Sequence, residues 1–238
     1  RSTKIIDLSA DFRLKSHAKY GKNNFIYGLT ASNKLQIQKA QFIANPGCFA
    51  TAIQQGLLPL ADAKLLNDTI HIHAITGSTG AGQNLSNTSH FSWRNNNISV
   101  YKAFTHQHLG EICESLKTVQ ADFSQEVNFL PVRGDFTRGI FASIYCQNEM
   151  DEKSLIELYQ DYYKDEPFTL ISTDTIHLKQ VVNTNNCIIQ VQQINNKALI
   201  TVAIDNLLRG AAGQAIQNMN LAFGIEETCG LKFKANYF

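Results

Sequence analysis

The stretch FIANPGCFATAIQQGLLPL, residues 42–60, runs from a short apolar segment through Asn45-Pro46-Gly47 into a helical pattern that begins at Cys48. Pro46 fixes its own φ and favours an extended Asn45, while Gly47 permits a sharp turn, including one with positive φ. Apolar residues then recur at helical spacing. Cys48 is therefore predicted to be the first residue of a helix.

A thiol at a helix N-terminus faces unpaired backbone N–H groups and the positive end of the helix dipole. This predicts a pKa for Cys48 below the usual value of about 8.5, with N–H donors available to an oxyanion. Cys48 is accordingly a candidate nucleophile. A small buried residue at a helix start is an equally good interpretation of this local pattern. The other four cysteines, Cys113, Cys146, Cys187 and Cys229, are predicted to have packing roles.

Composition narrows the classes of protein to consider. The chain has 238 residues, 44% of them hydrophobic, and a formal net charge of +1, which indicates one large domain or two small ones. The absence of a basic block argues against nucleic-acid binding, and no apolar run approaches the ~18 residues that span a membrane. Five cysteines without a CxxC pair indicate neither a disulfide framework nor a zinc ribbon, and a cytoplasmic location is expected. The first residues, RSTKIIDLSADFRL, lack an initiator Met, and we expect the first strand to pair with an upstream segment.

Apolar patterns predict an α+β fold with a mostly antiparallel or mixed sheet. Strands are predicted over 3–8, 41–44, 69–76, 127–132, 139–147, 187–194 and 198–204, and helices from 48 onward and over 108–119, 152–163 and 205–224. Asp205 is placed to cap the last helix and Gly224 to end it. The polar segment 77–97 is predicted to be a long functional loop.

Two histidine pairs are candidates for chemistry. In YKAFTHQHLGEI, His106 and His108 precede Glu111, whose carboxylate could orient an imidazole that exchanges protons with a thiol. Zinc binding by this pair is a weaker alternative, because no further ligand pair has suitable spacing. His71 and His73, in TIHIHAIT, are predicted to be structural residues on a sheet face.

Two glycine-rich segments are ambiguous from their residues alone. TGSTGAG, residues 76–82, is followed by neither an apolar helix nor a Lys-Ser/Thr pair, so it is not a dinucleotide fingerprint or a P-loop. It could bind an anion through backbone N–H groups or be a surface loop. The small residues of RGAAGQA, 209–215, indicate close approach by another backbone or by a flat ligand.

Between residues 5 and 224 the motifs IDLSADFRL, YGL, ANPGCFATA, TGSTGAG, HQHLGEI, FLPVRGDFTRGI and DNLLRGAAGQAIQNMN follow one another. In this combination and order they resemble the N-acetyl-γ-glutamyl-phosphate reductase family of arginine biosynthesis. The resemblance implies the end of a Rossmann NADP-binding domain over 1–47, an inserted catalytic and dimerisation domain like that of glyceraldehyde-3-phosphate dehydrogenase over 48–206, and a C-terminal helix over 207–238 that returns to the first domain. The family's N-terminal phosphate-binding glycine motif is not among these 238 residues.

The resemblance also implies an activity and roles for residues. An NADP-dependent homodimer or homotetramer would reduce an N-acyl-glutamyl phosphate to the semialdehyde through a thioester on Cys48, with His106 as general acid and base and without a metal. The implied substrate-binding residues are Arg13, His108, Glu111 and Arg138. The implied cofactor-binding residues are Thr79, Gly80, Asn206 and Gln214.

Two departures and three alternatives remain open. The family's usual Arg between the histidines is Gln107 here, and its usual Pro before Glu111 is Gly110. Since one cation is missing, the acyl group could be acetyl or another small acyl such as succinyl. The alternatives are an enzyme like the aspartate-semialdehyde dehydrogenases, a cofactor-free cysteine hydrolase or acyltransferase, and an inactive dimerisation fragment.

Overall fold

Two main sheets of unequal size organise the chain in the computed structural model, which describes residues 3–236. The strands are β1 Ile5–Asp7, β2 Lys19–Tyr20, β3 Asn23–Asn24, β4 Ile26–Tyr27, β5 Phe42–Ala44, β6 Ile70–Thr76, β7 Ser99–Val100, β8 Val127–Arg133, β9 Ile140–Gln147, β10 Thr169–Ser172, β11 Cys187–Ile194 and β12 Lys197–Ile204. The α-helices are α1 Thr30–Lys39, α2 Cys48–Asp62, α3 Phe91–Arg94, α4 His108–Val119, α5 Glu152–Tyr163 and α6 Gly213–Ala222. Short 3₁₀ turns occupy Ser78–Ala81, Asn87–Ser89 and Leu178–Gln180, and a π turn occupies Leu208–Ala212.

The larger sheet is mixed, in the order β10-β11-β12-β9-β6-β8-β7. The pairs β6/β8 and β10/β11 are parallel, and the others are antiparallel. Asn195 and Asn196 have φ of 49° and 57°, the conformation that a two-residue turn needs to join β11 to β12 without splaying them. The predicted α+β class with a mixed sheet is confirmed.

Helix α2 lies on the buried face of this sheet. Gly56 lets the helix approach closely, because a Cβ there would meet Ile144 Cδ1 at 2.8 Å. Pro59 has no N–H to give to the carbonyl of Gln55, and the hydroxyl of Tyr163 on α5 donates to that carbonyl instead, at 2.5 Å. The proline is thus accommodated inside the helix, and α5 is fixed against it.

The smaller sheet is parallel, in the order β1-β5-β4, and packs against α1 and α6. Its core comprises Ile37, Ala40, Ile43, Leu221 and Ala222. Residues from the two ends of the chain therefore share one hydrophobic cluster. Strand β5 in the middle of this sheet leads directly into Asn45-Pro46-Gly47 and α2.

Several elements differ from the sequence predictions. Helix α1, strand β10 and the short strands β2, β3, β4 and β7 were not predicted, and segment 77–97 contains short helical turns rather than a structureless loop. The predicted single helix over 205–224 is divided into the π turn and α6. Gly224 ends α6 with φ of 66°, as predicted. No helix within residues 3–236 is long and apolar enough to cross a membrane.

Candidate active site

Cys48 is the first residue of α2, as the sequence predicts, and its side chain is half-buried. Gly47 precedes it with φ of −71°, so the turn does not use the positive φ that glycine allows. Glycine is required for a different reason. A Cβ on Gly47 would collide with the imidazole of His108, which lies directly against this backbone.

The C-terminal part of the chain forms the other side of the cysteine turn. Gly210 lies against Cys48, and a Cβ on Gly210 would be 2.7 Å from the Cβ of Cys48. Asn45 Nδ2 donates to the carbonyl of Ala211 at 3.2 Å, and Asn218 Nδ2 donates to Asn45 Oδ1 at 3.1 Å. The small residues of RGAAGQA are therefore explained in part by close backbone packing.

Glu111, on α4, is the buried acceptor that organises the turn. Its Oε2 accepts from the Gly47 N–H and from the hydroxyl of Tyr27, both at 2.9 Å. Its Oε1 pairs with Arg13 Nη1 at 3.2 Å. The other two Arg13 nitrogens also donate, Nε to Asn45 O at 2.9 Å and Nη2 to Leu8 O at 2.8 Å. Arg13 and Glu111 thus stabilise the geometry around Cys48.

His106 and His108 lie edge to face, with ring centroids 4.6 Å apart. The His108 backbone N–H donates to His106 Nδ1 at 3.2 Å, which assigns the proton of a neutral His106 ring to Nε2. His108 Nδ1 is buried without a hydrogen-bond partner. Its Nε2 is 3.9 Å from Glu111 Oε1. Within residues 3–236, no group of three or more His, Cys, Asp and Glu side chains is arranged to hold a metal ion.

The charge states differ from those that the sequence predicts. Burial raises the pKa of the Cys48 thiol above its ordinary value, and this outweighs the opposing effects of the helix N–H groups and of Arg13. The prediction of a lowered pKa for Cys48 is therefore wrong for this state of the site. Burial, the neighbouring His108, Lys102 and Arg133 lower the pKa of His106 to about 3, and burial with Arg13 and Lys102 lowers that of His108 to about 3. A neutral thiol thus lies beside two neutral imidazoles at pH 7.

An open cleft of about 540 Å³ surrounds these groups. Predicted site residues that line it are Arg13, Cys48, Thr79, Gly80, His106, His108 and Asn206. Asn206 is fixed on both sides, because its Oδ1 accepts from the Gly139 N–H at 2.6 Å and its Nδ2 donates to Thr79 Oγ1 at 3.1 Å. The predicted cofactor and substrate residues of the TGSTGAG segment and of the final helical region therefore meet in one place.

Three predicted site residues do not line the cleft. Arg138 pairs with the buried carboxylate of Asp205 at 2.8 Å. Asp205 also accepts from the N–H groups of Leu207 and Leu208 at 2.8 and 3.0 Å, so its predicted capping role is confirmed. Gln214 is fully buried and donates to Thr51 Oγ1 at 3.2 Å. Glu111 contacts Gly47 from behind the cleft.

Sequence reasoning missed five residues at or beside the site: Tyr27, Tyr101, Lys102, Arg133 and Gly210. Only Gly210 had a usable signal, the run of small residues around it. Tyr101 and Lys102 lie in YKAFTHQHLGEI, Arg133 in FLPVRGDFTRGI and Tyr27 in YGL, but nothing within these segments distinguishes the four from their neighbours. Tertiary contacts alone bring them to the site.

Comparison with known proteins identifies relatives over nearly the whole chain. A reductase described as N-acetyl-γ-glutamyl-phosphate reductase from Flavobacterium johnsoniae is 58% identical over 99% of this chain and 73% of its own length. The equivalent proteins of Christiangramia forsetii and Parabacteroides distasonis are each 54% identical, over 99% and 100% of this chain and 72% of their own lengths.

The chain belongs to the N-acetyl-γ-glutamyl-phosphate reductase family. This confirms the family predicted from the sequence and, with it, the class of enzyme, an oxidoreductase. Residues 48–206 also match the family described as "Semialdehyde dehydrogenase, dimerisation domain".

Solved structures support the fold of this reductase-family chain. Aspartate semialdehyde dehydrogenase II of Vibrio cholerae superposes with a TM-score of 0.68 at 16% identity, over 92% of this chain and 72% of that one. A probable aspartate-semialdehyde dehydrogenase of Pseudomonas aeruginosa gives 0.68 at 13% identity, over 93% and 73%. At these identities the likeness concerns the fold alone.

The raised pKa of Cys48 gives a testable pH dependence. Because the thiolate is the form that reacts with iodoacetamide, we expect the alkylation rate of Cys48 to rise through a midpoint above the ordinary thiol value as the pH increases. The rate is measured by mass spectrometry of the Cys48 peptide between pH 6 and 11, with Cys48→Ser as the blank. A midpoint well below 8.5 would contradict the effect of burial seen in the structure.

The buried carboxylate of Glu111 gives a second prediction. Glu111→Gln leaves Arg13 without its counter-charge, and we expect the free energy of unfolding to fall by about 3 kcal/mol, as is typical when one partner of a buried ion pair is removed. Glu149→Gln, at an exposed glutamate between β9 and α5, is the matched control and should change stability by less than about 1 kcal/mol. Urea unfolding followed by circular dichroism measures both, and equal effects would refute the bridging role of Glu111.

Proposed function

We propose that this chain carries the catalytic part of an NADP-dependent reductase that converts an N-acyl-γ-glutamyl phosphate, N-acetyl in the family name, to the 5-semialdehyde in arginine biosynthesis. The observation that carries the proposal is the position of Cys48 at the start of α2, in a cleft shared with His106 and His108. The 52–58% identity with reductases of this name supports the substrate class. The five free cysteines support a reducing compartment, the cytoplasm.

Cys48 is the proposed nucleophile. The thiol proton passes to the imidazole of His106, Sγ forms a bond to the acyl carbon, and the bond from that carbon to the phosphate oxygen breaks, so that phosphate leaves with the electron pair. The product on the protein is a thioester. Backbone N–H groups at the start of α2 are suitably placed to stabilise the oxyanion of the tetrahedral intermediate. The thiohemiacetal formed after reduction releases the aldehyde when the C–S bond breaks and Cys48 regains its electron pair.

His106 is the proposed general acid and base. Its Nε2–H, which has no hydrogen bond within the described chain, is the group able to donate to an oxygen of the substrate. Accepting a proton at Nδ1 requires release of the His108 N–H that now occupies it. His108 packs on Gly47, and we propose that it positions the turn and the substrate.

The walls of the cleft fit the nicotinamide end of the cofactor. Gly80, Ala81, Gly82, Gly210 and Ala211 line the cleft with little more than backbone, so a flat ring can approach Cys48 closely. Asn206 and Thr79 provide polar groups beside them. When bound, NADPH supplies the hydride that the reduction needs.

The division into domains is proposed from the same arrangement. Residues 1–47 contribute the parallel β1-β5-β4 sheet to the cofactor domain, 48–206 form the catalytic and dimerisation domain, and 207–238 return to the first domain. The matched family range of 48–206 and the hydrophobic cluster that Ile43 shares with Leu221 support these boundaries.

Loss of activity in a cysteine variant tests the proposal. We expect the full-length protein to reduce NADP⁺ in the presence of N-acetylglutamate semialdehyde and phosphate, and Cys48→Ser to lower kcat by a factor of about 10³ or more. Cys113→Ser, at a half-buried cysteine of α4, should retain activity. N-succinylglutamate semialdehyde, assayed in parallel, identifies the acyl group. An active Cys48→Ser variant would exclude the thioester mechanism, and turnover without NADP⁺ would favour a hydrolase.

We further propose that the chain forms a homodimer, itself able to pair into a tetramer, through the open face of the large sheet. The helices α2, α4 and α5 cover the other face. The open face presents a row of paired side chains on adjacent strands, Gln192, Leu199, Tyr145 and His71. Tyr145 is 41% exposed and stacks on His71 with centroids 4.8 Å apart. An exposed row of this kind is typical of a sheet that packs on another sheet, and the name of the matched family supports a dimer.

A charge on this face should dissociate the dimer. Tyr145→Glu places a carboxylate in the proposed interface, and we expect sedimentation velocity at micromolar concentration to change from twice the mass of one chain to that of one chain. Tyr20→Glu, at an exposed tyrosine of β2 on the smaller part of the fold, is the matched control and should leave the mass unchanged. A dimer that persists in Tyr145→Glu would place the interface elsewhere.

A further inference from the structure

The cleft around Cys48 carries unbalanced positive charge. Three cationic side chains line it, Arg13, Lys102 and Arg133, and no carboxylate is among the described residues that do so. Arg13 is neutralised from behind by Glu111 at 3.2 Å. The other two cations take part in no ion pair within residues 3–236. Two positive charges therefore face the cleft without a counter-charge from the protein.

Lys102 is held in place by a neutral group. Its Nζ donates to Gln107 Oε1 at 3.0 Å. Its backbone has φ of 45°, in the left-handed region that a lysine rarely adopts. Gln107, which occupies the position between the two histidines, therefore fixes this ammonium group beside His106 while leaving its charge uncompensated.

Arg133 is held at its side chain and at its backbone, but no carboxylate neutralises its charge. Its guanidinium carbon lies 4.4 Å from the centre of the Tyr101 ring. Its carbonyl accepts from Arg94 Nη1 at 2.9 Å, which fixes the backbone. Its Nε is buried and has no hydrogen-bond partner. The buried Nε does not reach the cleft, so the Nη groups of this cleft-lining arginine are the donors available to an anion there.

We propose that Lys102 and Arg133 bind the phosphate group that leaves the acyl carbon on Cys48. The proposal rests on the proposed reductase function and assigns its leaving-group site. Two uncompensated cations match the two negative charges of a phosphate dianion, and an arginine offers it paired N–H donors. Arg13 and Arg138, which the sequence indicated for anion binding, are committed to Glu111 and Asp205.

The charge of an alkylating reagent tests this assignment without cofactor or substrate. Iodoacetate is an anion and iodoacetamide is neutral, and the ratio of their rates at Cys48 cancels the intrinsic reactivity of the thiol. At pH 8 and constant ionic strength we expect the ratio, relative to that of N-acetylcysteinamide in solution, to be raised at least fivefold. Lys102→Met and Arg133→Met should each lower it, and the double variant should return it to the solution value.

Matched variants separate charge from folding. Lys102→Arg and Arg133→Lys keep the charge and should keep a raised ratio, whereas Lys153→Met, at an exposed residue of α5, should have no effect. If Arg133→Met disturbs the circular dichroism spectrum, Lys102→Met and Arg133→Lys still decide the result. A wild-type ratio equal to that of N-acetylcysteinamide would overturn the proposal.

Competition identifies the anion. Inorganic phosphate should slow alkylation of Cys48 by iodoacetate in the wild type and should fail to do so in the double variant, with sodium chloride maintaining the ionic strength. Competition by glutarate but not by phosphate would reassign the two cations to a substrate carboxylate and overturn the phosphate site. The alkylation experiment and the activity test fail separately. An active Cys48→Ser enzyme would refute the thioester mechanism, whereas an unraised alkylation ratio would refute only the phosphate site.

Discussion

The carboxylate of Glu111 is the group on which the geometry around Cys48 depends. It is buried, and it accepts from the N–H of Gly47, from the hydroxyl of Tyr27 and from the guanidinium of Arg13. These partners come from three separate segments of the chain. A charged acceptor makes stronger hydrogen bonds than a neutral one, and a buried carboxylate requires that all its bonds be made. The position of the turn before Cys48 is therefore fixed from behind.

The same turn is enclosed from the front by the C-terminal part of the chain. Gly210 lies on Cys48, and Asn45 bonds both Ala211 and Asn218. The π turn that carries Gly210 leads directly into α6, and π-helical turns are frequent at functional sites. Cys48 thus lies where the β1-β5-β4 sheet, helix α4 and the π turn meet, so small shifts between these elements would be transmitted to the thiol.

The electrostatics of the cleft explain why its groups are neutral. Burial disfavours both the thiolate and the imidazolium, and the cations Lys102 and Arg133 further lower the pKa of His106. A bound anion would offset the repulsion between these cations and a protonated imidazole. The charge state of the site is therefore expected to depend on whether substrate is present.

The sequence by itself determined the α+β class, the family, the helix start at Cys48, the cap at Asp205 and the end at Gly224, because each depends on local conformational preferences or on contiguous motifs.

Other features were decided only by the tertiary structure. Helix α1 was not predicted because its apolar periodicity is weak and its buried Ile37 is stabilised by distant residues such as Leu221. Gly47 was recognised as a turn residue, but only the packed structure shows that the His108 ring is what excludes a side chain there. The direction of the Cys48 pKa shift was likewise decided by tertiary structure, since burial depends on what the rest of the chain places around the thiol, whereas a helix N-terminus is a local feature. Tertiary structure also determines which cations are neutralised, because charge compensation depends on neighbours in space and not along the chain. Arg13 and Arg138 pair with buried carboxylates. Lys102 and Arg133 have no such partner among the described residues.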